Sequence, residues 1–341
     1  MADFAKDIPY HVFPHELDCI VINATNTCTV EFFTNVGVDM ILTLTPNADG
    51  QIIIEDFAQL LRDITADHPC VFCEIYLEEE VTTESGAAEF YVRACRQDLN
   101  TTCTEFCNKH FFSLVKGPKP TYMGAEELLF ADNINKAVAT LIWVNPENGD
   151  VKETTKEIGT SGDNLSSRIN VSPSQFASPG AEYILHSYLV KADDRTAEFI
   201  LQSCKDATPV SFMFRNAFGH LETFHCFGAT LTELKPTRST AMFGGKTRNY
   251  RVLAVPEHTS HTGIIPSHMV PLFADLCSAT FVKVLPSERE VCITDCDFKI
   301  SNDLYTPQQA TISWREANRS TLHEPTESFR TFDNSFDNTF Y

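Results

Sequence analysis

The sequence predicts a mainly β protein with two or three sandwich- or barrel-like domains, two short helices and an extended C-terminal tail. Three observations carry that prediction. Short apolar or alternating runs, bounded by Gly, Pro, Asn and Asp, recur along most of the 341 residues. Only two stretches space their apolar residues at helical periodicity. From Glu324 onward the core pattern stops, and the ending SFRTFDNSFDNTFY sets Phe329, Phe332, Phe336 and Phe340 among Asp, Asn, Ser and Thr.

In chain order, strands are expected at Thr27–Val36, Met40–Thr45, Gln51–Ile54, Val71–Leu77 and Ala88–Ala94, with a tight turn at Pro46–Gly50. A helix interrupts them. Asp56 is its expected N-cap, and Phe57, Leu60, Leu61 and Ile64 follow at i, i+3, i+4 and i+7. Residues 1–120 thus read as a sandwich-like domain with one short helix, closed by the stiff stretch Lys116–Pro120. A second β domain is expected over 121–234. It has a strand at Ala137–Val144, a turn at Asn145–Gly149, a Ser/Gly/Asn-rich loop at Glu157–Ser167 and strands at Tyr183–Val190 and Ala197–Leu201. The stretch SFMFRNAFGHLETFHCFG then reads as a hairpin, with Asn216 and Gly219 at the ends of its turn. A third β unit, 235–325, is either separate or continuous with the second. It begins with polar, Thr-rich sequence, has a strand at Tyr250–Ala254 and a helix at Ser267–Cys277, and ends with strands at Thr280–Leu285, Glu290–Ile293 and Ala310–Arg315. Residues 326–341 form the aromatic tail.

Charge narrows the partners. Lys and Arg number 26 against 46 Asp and Glu, a formal net charge of −20. Such a surface is repelled by phosphate backbones and anionic lipid headgroups, so neither nucleic-acid readout nor membrane insertion is expected. No basic n-region precedes an apolar stretch at the N-terminus, and no apolar run approaches the ~20 residues that span a bilayer. Folding in a host cytoplasm is expected, where the twelve cysteines stay unpaired.

Chemistry-bearing residues are plentiful, yet none forms a recognisable site. Cys70 and Cys73 lie three apart in a strand and so point to opposite faces, while Cys103 with Cys107 and Cys292 with Cys296 are expected to share a face. Buried thiols fit all of these better than zinc. His258 and His261 follow Pro256 in what reads as a solvated loop, with His268 after them in the expected second helix, and His220 and His225 lie on the expected hairpin. Glu78, Glu79 and Glu80 read as a solvated strand end. Gly244-Gly245-Lys246 lacks the upstream glycine of a phosphate loop, and neither a G-x-S-x-G elbow nor a G-x-G-x-x-G loop occurs. The expectation is a non-enzyme with no catalytic, cofactor-binding or metal-ligating residues and no cofactor.

Three stretches resemble β-rich structural proteins of tailed phages and prophages of the Bacteroidetes. They are the hairpin FMFRNAFGHLETFHCFG, the segment RNYRVLAVPEHTSHTGIIPSHMVPLFADLCSATFVKVL, and the ending ITDCDFKISNDLYTPQQATISWREANRS with its Phe-Asp-Asn-x-Phe tail. Pro271 inside the second helix and Cys277 directly before Ser278 depart from the pattern of those proteins. The resemblance implies a virion protein of a tail, baseplate or connector ring, arranged in symmetric copies and touching other virion structural proteins. A carbohydrate- or receptor-binding adhesin is the alternative, disfavoured by having only Trp143 and Trp314 to stack on sugars.

The tail is the expected docking element. In a strand, Phe332, Phe336 and Phe340 share a face and Phe329 does not, whereas the polar residues between them are poor helix formers. Burying each ring is worth about 1.5–3 kcal/mol, which favours an extended strap laid on its own domain or on a neighbouring copy.

Overall fold

In the computed structural model the described residues are 2–80, 86–134, 136–163, 166–204, 208–298 and 308–317. The tail and its four phenylalanines lie outside them. The chain is mainly β, and the described residues form five sheets and three short α-helices.

The first sheets form around the apolar alternation of the N-terminal third. Cys70–Glu79 alternates its side chains in and out almost without interruption, as a half-buried strand must. It lies between Gly86–Arg93 and Cys28–Thr34 in a five-stranded sheet that ends at Met40–Leu44 on one side and at the short His11–Val12 on the other. A three-stranded sheet of Asp3–Phe4, Ile20–Asn23 and Gln51–Ile54 covers its inner face. Ile22, Ile52, Val30, Phe32, Val71, Ile75 and Phe90 fill the space between them. Helix α1 (Phe57–Ile64) adds Phe57, Leu61 and Ile64 to this core. Asp56 precedes it as expected, but in the left-handed region (φ 56°) and without a side-chain capping bond, so it shapes the entry turn and caps nothing.

The middle sheets repeat the arrangement. Ala137–Val144 is buried at every second position and pairs with Val151–Ile158 and Ile184–Ala192. Arg195–Leu201 and the parallel Lys119–Thr121 complete five strands. Across the core lies a three-stranded sheet of Leu128–Ala131, Ser166–Asn170 and Thr160–Asp163. The loop expected at Glu157–Ser167 is therefore mostly strand. Gly162 sits at φ 113°, and a Cβ there would lie 2.3 Å from the Ser166 carbonyl oxygen, so only glycine fits at this close approach of the two strands. Polar composition masked the pairing because this sheet leaves one side to solvent.

The C-terminal part is a seven-stranded sheet. Its order is Leu221–Cys226, Val210–Arg215, Val282–Leu285, Arg289–Phe298, Gln308–Glu316, Lys246–Ile265, Thr230–Phe243. Helix α3 (Val270–Cys277), entered through a 3-10 turn at Ser267–Met269, packs Leu272, Phe273 and Leu276 against it. Pro271 lies in the first turn, where a missing N–H costs nothing.

Four further expectations are corrected here. A third helix, α2 (Cys103–Lys109), is present; the Thr102 hydroxyl accepts from the Glu105 amide at its start. Seven residues with two cysteines four apart fit one face of a strand as well as of a helix, so spacing alone does not reveal α2. His258 and His261 lie in the 20-residue strand Lys246–Ile265, not in a loop, because Gln308–Glu316, some fifty residues later, pairs with that stretch. Cys292 and Cys296 do not share a face: a bulge between Ile293 and Asp295 shifts the alternation, leaving Cys292 exposed and turning Cys296 inward towards Cys277. Glu79 is buried, not solvated; it accepts from the Thr25 and Asn26 amides at 2.9 and 2.7 Å, while Glu78 and Glu80 stay exposed.

Among the described helices none is long and apolar enough to cross a membrane.

Candidate functional site: a buried junction and a projecting ribbon

Two features stand apart from ordinary core. The first is a buried polar junction organised by the hairpin Val210–Arg215/Leu221–Cys226. Its turn closes between Asn216 and Gly219: the Gly219 amide donates to the Asn216 carbonyl at 2.9 Å, and the Asn216 side chain accepts from the Phe218 and His220 amides. Gly219 is at φ 76°, and a Cβ there would stand 2.9 Å from the Cα of Pro69. Only glycine lets this turn press so closely on the N-terminal part. Phe218 and Ala217 fill a separate apolar cluster with Phe13, Cys103, Phe106, Cys107 and Phe112. Residues from the first 120 positions and from the hairpin thus share one core.

Charged groups tie the same place together. The Lys119 ammonium donates to Glu127 at 2.8 Å, and Thr223 donates to the same carboxylate oxygen at 2.8 Å. His225 Nε2 meets the other Glu127 oxygen at 2.8 Å, and its Nδ1 meets the Ser211 hydroxyl at 2.8 Å. Tyr122 completes the chain at 3.2 Å from Ser211. Burial pushes the Glu127 carboxyl up, but the neighbouring Lys119 and His225 outweigh it and bring it down to about 2. Glu222 accepts from Ser113 at 2.6 Å and from Asn216 at 2.7 Å; its burial holds the carboxyl above the usual range, with Lys119 at 4.0 Å opposing. Asp275 of α3 binds Arg96 at 2.7 Å and the Ala217 amide at 2.6 Å, and Arg93 meets Asp132 at 2.7 Å.

Ser211, His225 and Glu127 have the order of a nucleophile, base and carboxylate. Their surroundings do not suit acyl transfer. Ser211 is 1% exposed, and its hydroxyl is held between His225 and Tyr122. The void beside His225 is about 20 Å³, room for one water and no substrate. A larger cavity of about 550 Å³ lies between the Leu99–Gly117 segment and the strand face at Thr196–Phe199. Its buried charges already have partners: Lys119 donates to Glu127, and Glu222 accepts from Ser113 and Asn216.

His220 is stacked between Phe112 and Phe130, at centroid distances of 4.9 and 4.6 Å, and burial pushes its imidazole down to about 3. His268 is drawn to the linker, where its Nε2 lies 2.7 Å from the Pro118 carbonyl oxygen. His258 stacks on Trp314 at 4.1 Å, and burial lowers its pKa. Cys70 and Cys73 take opposite sides of their strand, with Cys73 buried and pushed up to about 12 by desolvation. Cys103 and Cys107 face each other inside α2 with sulfurs 3.7 Å apart. Among the described residues no three His, Cys, Asp or Glu side chains converge as a metal site.

The second feature was not legible as a unit in the sequence. Thr230–Phe243 pairs with Lys246–Ile265 along its whole length, closed by Gly244-Gly245 with both φ positive, as a two-residue type I′ hairpin requires. The support from Gln308–Glu316 ends at His258. Beyond it the two strands continue as a bare ribbon for roughly 35 Å at about 3.3 Å per residue. Leu234, Met242, Phe243 and Tyr250 on it are 56%, 75%, 57% and 64% exposed. Tyr250 is the additional residue at a bulge opposite Ser239/Thr240.

No protein-family profile matches the chain, and no curated protein matches it significantly.

Proposed function

We propose that this chain is a non-enzymatic structural component of a phage particle, in the tail, baseplate or connector ring, and that it acts by assembling with copies of itself and with other virion proteins. The observation that carries the assembly part is the ribbon. A two-stranded hairpin alone in water is marginal, and four large apolar side chains on it are presented to solvent. Burial of each against a neighbour is worth about 1.5–3 kcal/mol, so the ribbon is stable and useful only when something covers it.

The buried junction supports the same reading from the other side. Its ion pairs and shared apolar cluster join the β units, which suits a part that must hold shape within an assembly. The phage assignment rests on the resemblance of the hairpin, the long strand with its following helix, and the ending. The aromatic tail, Phe329 to Phe340, is the second docking element of this proposal.

The test is the mass of the full chain by light scattering across a concentration series, together with subnanometre imaging of purified particles. A chain that stays monomeric at every concentration and occupies no density in particles sinks the proposal.

A further inference from the structure

We propose that the ribbon of one copy docks across the outer face of the N-terminal five-stranded sheet of a second copy of this chain. The inference rests on the assembly reading above and names the surface and the chemistry of the contact.

Charge is the first argument. Between Leu234 and Val255 the sequence carries Lys235, Arg238, Lys246, Arg248 and Arg251, with no Asp or Glu, in a chain whose net charge is −20. Arg238, Lys246 and Arg248 are exposed. By register Arg238 lies on the ribbon face of Leu234 and Met242, and Arg248 with Lys246 on the face of Phe243. Each face thus mixes basic and apolar groups. A basic apolar arm on a strongly acidic body is complementary to that body.

The receiving face is defined by its own register. Ile41, Glu31, Tyr76 and Ala87 lie side by side across four strands. The next row on one side is Phe33, Glu74 and Glu89; on the other it is Thr43, Thr29 and Glu78. These three rows hold four glutamates and no lysine or arginine. Ile41 is 62% exposed and Tyr76 36%; Glu31 stands between them and the other three glutamates lie in the flanking rows, so the strip mixes apolar and acidic groups. Glu74 and Tyr76, two apart in one strand, share this face, and the carboxylate raises the phenol's pKa. The inner face of the same sheet is filled by core, and among the described residues the outer side is the one left to receive a partner. Laid flat, the ribbon would set its apolar residues over the strip and its cations against the glutamates.

The contact is heterologous, ribbon to sheet face, so each copy offers one arm and one receptor. Such a contact closes into a ring or runs on as a filament, depending on the rotation between copies.

A charge-swap experiment on the full chain decides it. One variant carries Arg238→Glu, Lys246→Glu and Arg248→Glu; a second carries Glu31→Lys, Glu74→Lys and Glu78→Lys; a third mixture combines the two. All altered side chains are at least partly exposed, and far-ultraviolet circular dichroism with thermal unfolding checks that each variant folds. Self-association is followed by sedimentation at about 50 mM and about 500 mM salt. Each variant alone is expected to weaken self-association at least about tenfold, and mixing the two, which restores opposite charges between arm and face, to recover it. Wild-type association that neither set weakens overturns this inference while leaving the assembly reading intact. So does loss in the ribbon variant alone with no recovery on mixing, since the arm would then seat on a different partner. A wild-type chain that never associates overturns both.

Discussion

The Glu127 carboxylate lies 2.8 Å from the Lys119 ammonium, with the two side chains 0% and 6% exposed. The pair joins the strand at the start of the middle sheet to a loop of the same unit, and through Thr223 and His225 it reaches the hairpin of the C-terminal sheet. It is therefore a tie between units that the chain builds far apart. Removing one partner should leave an uncompensated buried charge. Lys119→Met or Glu127→Leu is expected to cost about 3–5 kcal/mol in denaturant unfolding. The double variant should cost clearly less than the sum, because both charges leave together. Strict additivity would show that the two groups do not act as a pair.

His220 makes stability depend on pH. Its folded pKa is brought down to about 3 by burial, against an ordinary 6.5 when unfolded. Above about pH 6.5 both states are neutral and the contribution is complete. As pH falls below that, the unfolded imidazole binds a proton that the folded one refuses, and stability drops by about 1.4 kcal/mol per pH unit until the folded group titrates. Between pH 6.5 and 5 the wild type should thus lose more stability than His220→Leu. Parallel pH profiles for the two proteins would rule this out.

Gly219 should tolerate no side chain. At φ 76°, with the Pro69 Cα 2.9 Å from where a Cβ would stand, Gly219→Ala strains the turn and pushes the hairpin off the N-terminal part. A loss of about 1–3 kcal/mol is expected in thermal or denaturant unfolding. A neutral outcome would mean that the turn can move away without disturbing the Phe218 cluster.

Truncation at residue 325 tests the tail separately from the ribbon. If Phe332, Phe336 and Phe340 dock as an extended strap, removal of residues 326–341 should lower the oligomer mass by light scattering or abolish incorporation into particles. Unchanged mass with intact incorporation would remove the tail from the assembly mechanism.

Periodicity was enough for the mainly β class, for about half of the strands described in the first 200 residues and for helices α1 and α3, because alternation and i, i+3, i+4 spacing are local properties of a chain that buries one face. Ala137–Val144 is found where its pattern predicts. The Asn216 to Gly219 turn was equally legible, since its residues tolerate the backbone it needs. Only the tertiary structure decided the rest. Thr230–Phe243 and Lys246–Ile265 are polar and Thr-rich, and become long strands through pairing with each other and with a strand some fifty residues away. The bulge that separates Cys292 from Cys296 is set by its partner strand, not by the cysteines. Lys119, Glu127, Ser211 and His225 carry no common motif; they meet because a strand and a loop of the middle unit converge on one hairpin of the C-terminal sheet. Net charge was visible from composition, yet its separation into a basic arm and an acidic sheet face appears only once register places Glu31, Glu74, Glu78 and Glu89 on one side. Local spacing records what a segment buries, whereas long-range pairing settles which segments bury it together, and the candidate contacts of this protein belong to the second kind.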